Sequence, residues 1–184
     1  MIRSFSGAPI DLHLLRGHCE LALLAPTAGN SAGVRFTVVS TDKVGDYFNV
    51  ATDESWRATA ARFPGLARAG AVVLVSCRPE DYEARYRETD KAASGLSDRA
   101  EWPIPYWHTD AAMATMALLL LIEEAGLGAT LWGAFRHVDA VRQWAGLEDE
   151  LFATVLIGVP DGEDVPSRSL QRPVPSRAER VRVL

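Results

Sequence analysis

The side chains able to do chemistry are few and scattered. Cys19 and Cys77 lie inside apolar runs and form no C-x-x-C pair, so they read as buried free thiols of a reducing compartment. His13 and His18 are five apart, off the i, i+4 spacing that presents two imidazoles to one metal ion. His108 and Asp110 are two apart and fall on different helix faces. No metal site is expected. Glu123 and Glu124 read as a solvated helix end. G-x-S-x-G and G-x-x-x-x-G-K-[ST] are absent, and Gly126, Gly128 and Gly133 fail G-x-G-x-x-G because position 131 is Leu. With no acid, base or nucleophile set of its own, the chain can be an enzyme only if a cofactor brings the reactive atoms. For holding one it offers a small-residue loop at 26–33, several tryptophans and an arginine-rich end.

Those groups need elements to position them. Asp11 is placed to cap a helix over 12–24, where Leu12, Leu15, Cys19 and Leu23 recur at three and four spacing until Pro26 stops it. The 26–33 loop feeds a strand over 34–39, in which Val34, Phe36 and Val38 alternate with their neighbours. Residues 53–63 carry a helical pattern. The β-branched run at 71–76 reads as a strand buried on both faces. Pro79 suits the first turn of a helix over 79–88. Residues 89–105 form a loop long enough to be a lid or a substrate-side segment.

The longest predicted helix, 106–125, spans roughly 30 Å and ends at Gly126. It is apolar almost all round, so every side needs cover, and the extra cover is expected from a second subunit. A strand at 129–132, a helix at 138–145 and a buried strand at 153–159 follow. After Pro160 the chain is polar and proline-punctuated, yet it carries Val181 and Val183, as a tail that dangles or wraps over a partner would. Without regular strand–helix–strand alternation the fold class is α+β.

The chain has 184 residues, 48% hydrophobic and 23% charged. That length buries roughly 70% of the unfolded surface, and a single domain over 1–184 is expected. The composition excludes a disordered tail, a collagenous fibre and a disulfide scaffold. Net charge is −5, with no basic stripe ahead of residue 168, which argues against nucleic acid as a partner. Five arginines fall within the last 17 residues. The start, MIRSFSGAPID, has no apolar secretory region. The longest uncharged apolar stretch, 111–122, is 12 residues, where a membrane span needs about 20. A cytoplasmic protein with no membrane partner is expected.

Five pieces, in order over nearly the whole chain, resemble the FMN-dependent nitroreductase family. Ala25-Pro26-Thr27-Ala28-Gly29-Asn30 followed by Arg35-Phe36-Thr37-Val38-Val39 is similar to its A-P-S-x-x-N loop and strand. Arg3-Ser4-Phe5 with Pro9-Ile10 resembles its amino-terminal segment. Asp110 through Leu120, then Gly126 to Gly133, resembles its long dimer helix and glycine block. Leu156-Ile157-Gly158-Val159-Pro160 and Arg172-Pro173 resemble its last strand and terminal element. Trp102-Pro103 and Pro105-Tyr106-Trp107, with Trp56 and Tyr82, resemble an actinobacterial branch.

The resemblance implies a nitroreductase-like fold, a central mostly antiparallel sheet flanked by helices. It implies a homodimer with two FMN sites at the interface, and a 160–184 tail over the partner. It implies ping-pong chemistry, with NAD(P)H reducing the flavin and a small-molecule substrate, such as a nitro compound or quinone, taking the electrons. The alternative is an FMN-binding or flavin-sequestering dimer without turnover. Arg3, Ser4, Arg168 and Arg172 would serve the phosphate end. Pro26, Thr27, Ala28, Gly29 and Asn30 would meet the ring and ribityl chain. Leu131, Trp132 and Gly133 would lie across the ring, with a backbone N–H toward the flavin N5. No catalytic side chain is implied. The family's first basic residues and serine belong ahead of Arg3, so either the chain starts upstream of Met1 or the phosphate is held by fewer groups.

Overall fold

The computed structural model describes residues 1–59, 63–133 and 136–183. The chain runs α1 (Leu12–Ala22), β1 (Val34–Val39), α2 (Val44–Ala51), α3 (Glu54–Thr59), β2 (Ala71–Cys77), α4 (Pro79–Tyr86), α5 (Tyr106–Glu124), β3 (Gly128–Trp132), α6 (Val138–Ala145) and β4 (Glu150–Gly158). The strands form one sheet in the order β1-β2-β4-β3, and every neighbouring pair is antiparallel. This is the expected α+β class.

Helices cover both faces of the sheet, which explains the continuous apolar run of β2. Ala71, Val73, Val75 and Cys77 face a core built with Leu15 and Cys19 of α1 and Ala111, Ala114, Leu118 and Ile122 of α5. Val72 and Leu74 face the opposite core, with Tyr47 and Phe48 of α2, Val141 of α6 and Phe5. Successive strand residues point to opposite faces, so both faces must be apolar.

Local signals hold at most ends. Asp11 Oδ1 accepts the backbone N–H of His13 at 2.8 Å and of Leu14 at 3.2 Å, capping α1. Pro79 opens α4. Gly126, at φ 73°, follows α5, and the N–H of Leu127 donates to the Ile122 carbonyl at 3.1 Å, a Schellman closure. Several elements differ from the sequence reading, α4 among them, which closes at Tyr86 ahead of the expected 88. Helix α1 ends at Ala22, ahead of the expected 24, because Leu23 and Leu24 turn out to the surface. Strand β4 begins at Glu150, not 153, because Cys77 continues the ladder to it past a bulge at Val75 and Ser76. Helix α2 was not expected at all. The predicted helix at 53–63 is found as α3, and its residues 60–62 lie outside the described residues.

Segment 87–105 is tied down. Arg99 reaches Glu80 at 2.7 Å and Glu83 at 3.0 Å, and Trp102 Nε1 donates to the Leu96 carbonyl at 2.9 Å. Helix α5 buries one face only: Met113, Met116 and Leu120 are 42%, 54% and 59% exposed. Residues 165–183 are exposed almost throughout.

Both cysteines are free and buried. Burial pushes each thiol up to about 12, with Glu20 adding to the effect at Cys19, and Glu150, Asp149 and Glu80 at Cys77. Both therefore stay protonated at neutral pH, and a thiol is a poor nucleophile. Iodoacetamide at pH 8 is expected to leave both unmodified in the folded chain and to alkylate both in urea, read by intact mass. Rapid labelling of either in the folded chain would contradict this burial.

Candidate functional site

The 26–33 loop departs from ordinary backbone three times. Gly29 has φ 61°, Asn30 φ 58° and Ala32 φ 52°. Non-glycine residues seldom occupy this left-handed region, and such strain concentrates at functional loops. The loop is held by bonds of its own: the N–H of Ala32 donates to Thr27 Oγ1 at 3.1 Å, and Ser31 Oγ donates to the Ala28 carbonyl at 2.6 Å. Two helices hold it from outside. The N–H of Ala28 donates to Asp110 Oδ2 at 2.8 Å, and Arg85 Nε donates to the Gly29 carbonyl at 2.8 Å. A Cβ at Gly29 would stand 2.7 Å from the Tyr86 ring, so the backbone passes there only without a side chain. Pro26 and Asn30 are exposed. A cavity of about 100 Å³ opens beside the loop, lined by Leu23, Ala25, Thr27, Ala32, Val34 and Ala114.

The amino-terminal residues sit elsewhere. The N–H of Ile2 donates to the Ala129 carbonyl at 2.9 Å, and Phe5 bridges Pro160. Gly128 is required here, because a Cβ on it would stand 2.9 Å from Ile2 Cβ. The N–H of Arg3 donates to Asp164 at 3.0 Å, and its guanidinium lies 5.5 Å from the centre of the Phe63 ring. Ser4 Oγ donates to Asp161 Oδ2 at 2.7 Å, and Arg68 meets the same oxygen at 2.7 Å. These bonds hold the Asp161 carboxyl below the usual carboxylate range, the Ser4 bond first. The Ser4 hydroxyl is thus committed to a carboxylate.

Leu131 is exposed, whereas the Trp132 side chain packs against Tyr47, Phe48 and Trp56, with ring centres 6.0, 5.4 and 5.5 Å away. That leaves backbone as what Trp132 can offer a ligand, with Gly133 next to it. Arg168 and Arg172 are exposed in the tail.

Within one chain these pieces do not meet. Val34 follows the loop and pairs with Cys77, which pairs with Glu150 at the start of β4. Ile2 lies against β3 where Gly128 pairs with Gly158, at the end of β4. The nine residues of β4 separate the two regions by roughly 25 Å at about 3.3 Å per residue. They also flank opposite sheet edges, β1 and β3.

The sequence reading passed over Arg85, named Tyr82 only within a family resemblance, and weighed Asp110 only beside His108 and within a motif. Asp110 had a signal, being a charged residue at an inward position of an apolar helix. Arg85 had none, since 56 residues separate it from Gly29. The reading also did not join Cys77, His108 and Glu150, whose ligand-type atoms lie within 4.8 Å of one another. His108 Nε2 and Glu150 Oε2 satisfy each other at 2.9 Å, and Arg99 stands 3.9 Å from the same carboxylate.

Among the described residues no helix is long and apolar enough to cross a membrane. A search of curated proteins found no match. Solved structures share the fold. A nitroreductase family protein from Streptococcus pneumoniae is 18% identical, with 100% of this chain and 94% of that chain covered and a TM-score of 0.73. A protein from Desulfovibrio desulfuricans, described as a nitroreductase in complex with FMN, is 20% identical, with coverage of 98% and 88% and a TM-score of 0.66. One from Staphylococcus epidermidis, described as an NAD(P)H:FMN oxidoreductase, is 16% identical, with coverage of 100% and 90% and a TM-score of 0.68. The nitroreductase family model itself matches residues 1–159, from the Arg3-Ser4 segment through the loop and α5 to the end of β4. Fold and sequence agree over that whole length, and the chain belongs to the nitroreductase family.

Proposed function

We propose that this chain is an FMN-dependent oxidoreductase that moves electrons from NAD(P)H to a small acceptor such as a nitro compound or a quinone. The observation that carries the reading is the family match over residues 1–159, which includes both the loop and the Gly128–Trp132 strand. FMN, when bound, supplies the hydride chemistry that the chain's own side chains lack. The residues present fit such a group. Gly29 lets backbone approach where a side chain would collide, and Asn30 stands exposed beside it. Pro26, Thr27 and Ala28 complete that wall. Gly133 and the Leu131–Trp132 backbone offer the opposing one. Arg3, Arg168 and Arg172 offer charge for the phosphate, while the Ser4 hydroxyl is taken by Asp161.

A second copy of the chain completes the site. The loop and the amino-terminal segment lie at opposite ends of one sheet, so a cofactor touching both takes them from two chains. The exposed apolar face of α5 supports the same reading, with the tail over the partner.

The test is spectroscopic. Purified protein given FMN should show flavin absorbance after gel filtration, and NADPH or NADH should bleach it without oxygen. Binding without bleaching would leave a sequestering protein, and no retained flavin would overturn the reading. For the phosphate end, Arg172→Ala is expected to weaken FMN binding by about 1.5–3 kcal/mol, the scale of a hydrogen bond to a charged group. Arg180→Ala should change it little. Equal losses, or none, by fluorescence titration would reject the assignment.

A further inference from the structure

Three left-handed residues fall within the four positions 29–32, and the loop's own bonds are only part of what holds them. The rest of the hold comes from α4 and α5. Tyr82, Arg85 and Tyr86 follow i, i+3, i+4 spacing, so they share one face of α4. The close approaches to Gly29 and Gly33 show that this face meets the loop. A Cβ at Gly33 would stand 2.4 Å from the Tyr82 ring, and one at Gly29 2.7 Å from Tyr86. From the same face Arg85 reaches the Gly29 carbonyl, while its terminal nitrogens each meet Asp90 at 2.7 Å. From the other side comes Asp110, 1% exposed on the inward face of α5. A carboxylate buried there is tolerated only when bonded. Its Oδ2 takes two donors at 2.8 Å each, the Ala28 N–H and the Tyr82 hydroxyl.

We propose that Asp110 and Arg85 are the positioning residues of the cofactor-facing loop, Asp110 fixing the Ala28 amide and Arg85 the Gly29 carbonyl. The proposal rests on the flavin reading above. The two anchors grip adjacent residues from two different helices. They fix the peptide that leads into Ala28 and the one that joins Gly29 to Asn30, so the loop keeps its shape before any ligand arrives. Tyr82 steadies Asp110. Burial, and next the bond to Asp110, raise its hydroxyl above the ordinary phenol range, so it remains a donor across the usable pH range. The pre-set loop spares the ordering cost that a mobile one would impose on binding.

The experiment compares Asp110→Ala, Asp110→Asn and Arg85→Ala with the unmodified chain. Val141→Ala, a buried change on α6 in the other core, serves as a stability control. Two readouts are taken: hydrogen exchange of the 27–33 amides without flavin, and FMN affinity by fluorescence titration. Asp110→Ala and Arg85→Ala should each raise exchange across 27–33 and weaken FMN binding at least tenfold. Asp110→Asn keeps an acceptor oxygen and should recover most of both. Val141→Ala should lower the melting temperature and alter neither. Unchanged exchange in Asp110→Ala overturns the proposal. So does raised exchange with unchanged affinity, or equal losses in Val141→Ala. An unmodified chain that takes no FMN overturns the flavin reading and the cofactor role together. The exchange comparison still decides whether Asp110 holds the loop.

Discussion

Gly65→Ala is expected to destabilise the folded chain by about 2 kcal/mol net and to dislodge the amino-terminal segment. A Cβ there would stand 2.3 Å from Ser4 Oγ and 2.6 Å from Ser4 Cα. The hydroxyl can rotate away, but the Cα cannot move alone. Ser4 is pinned through Asp161, and Phe5 is fully buried next to it. Overpacking against backbone costs about 3 kcal/mol at the upper end of its usual range. Gly65 sits at φ −77°, an ordinary value, so alanine returns at most about 1 kcal/mol by restricting the unfolded chain. Gly45, inside α2, has nothing within 4 Å of its would-be Cβ. Gly45→Ala should therefore stabilise by about 0.5–1 kcal/mol. Urea midpoints for the pair give opposite signs if the packing is as described. A Gly65→Ala chain as stable as Gly45→Ala would refute it.

Met116→Asp is expected to abolish assembly and, with it, flavin binding. Met116 lies mid-helix on the exposed apolar face of α5. In an isolated chain an aspartate there stays in water and costs little. In a dimer buried on this face, each copy would carry an unpaired carboxylate into the interface, at about 3–5 kcal/mol apiece. Sedimentation should then find the 20.0 kDa monomer at micromolar concentration, with helical circular dichroism retained. FMN affinity should fall at least a hundredfold, because in the proposed dimer each site would take the loop from one chain and the amino-terminal segment from the other. A variant that remains dimeric, or that binds flavin as a monomer, would refute this arrangement.

Much of the fold could be read locally. Asp11 announced the cap of α1, Pro79 the start of α4 and Gly126 the end of α5, because caps depend on residues a few positions away. The apolar run at 71–76 announced a strand covered on both faces. Helix α2 was legible and overlooked. Val44, Tyr47, Phe48 and Ala51 follow i, i+3, i+4, i+7 spacing, and all four are buried, although Gly45, Asp46 and Asn49 dilute the pattern. The early start of β4 was not legible, since Cys77 on another strand decides it. The site divides the same way. The loop stood out by composition, and the order of five motifs pointed to the family. The separation of Arg3 from the loop depends on strand order. The grip of Arg85 on Gly29 depends on how α4 docks, and no short window of sequence contains it.

The pairing of Ile2 with Ala129 and of Phe5 with Pro160 also sets an order of events during synthesis. Phe5 is made well ahead of its partner, which comes 155 positions later. At about 5–20 residues per second, the ribosome leaves Phe5 waiting roughly 8–30 s. The central strand β2 waits in turn for β4, so one of its edges stays unpaired over much of the same interval. The nascent chain thus carries its most apolar strand with one edge unpaired until nearly the whole domain has emerged, an open template for pairing with other chains.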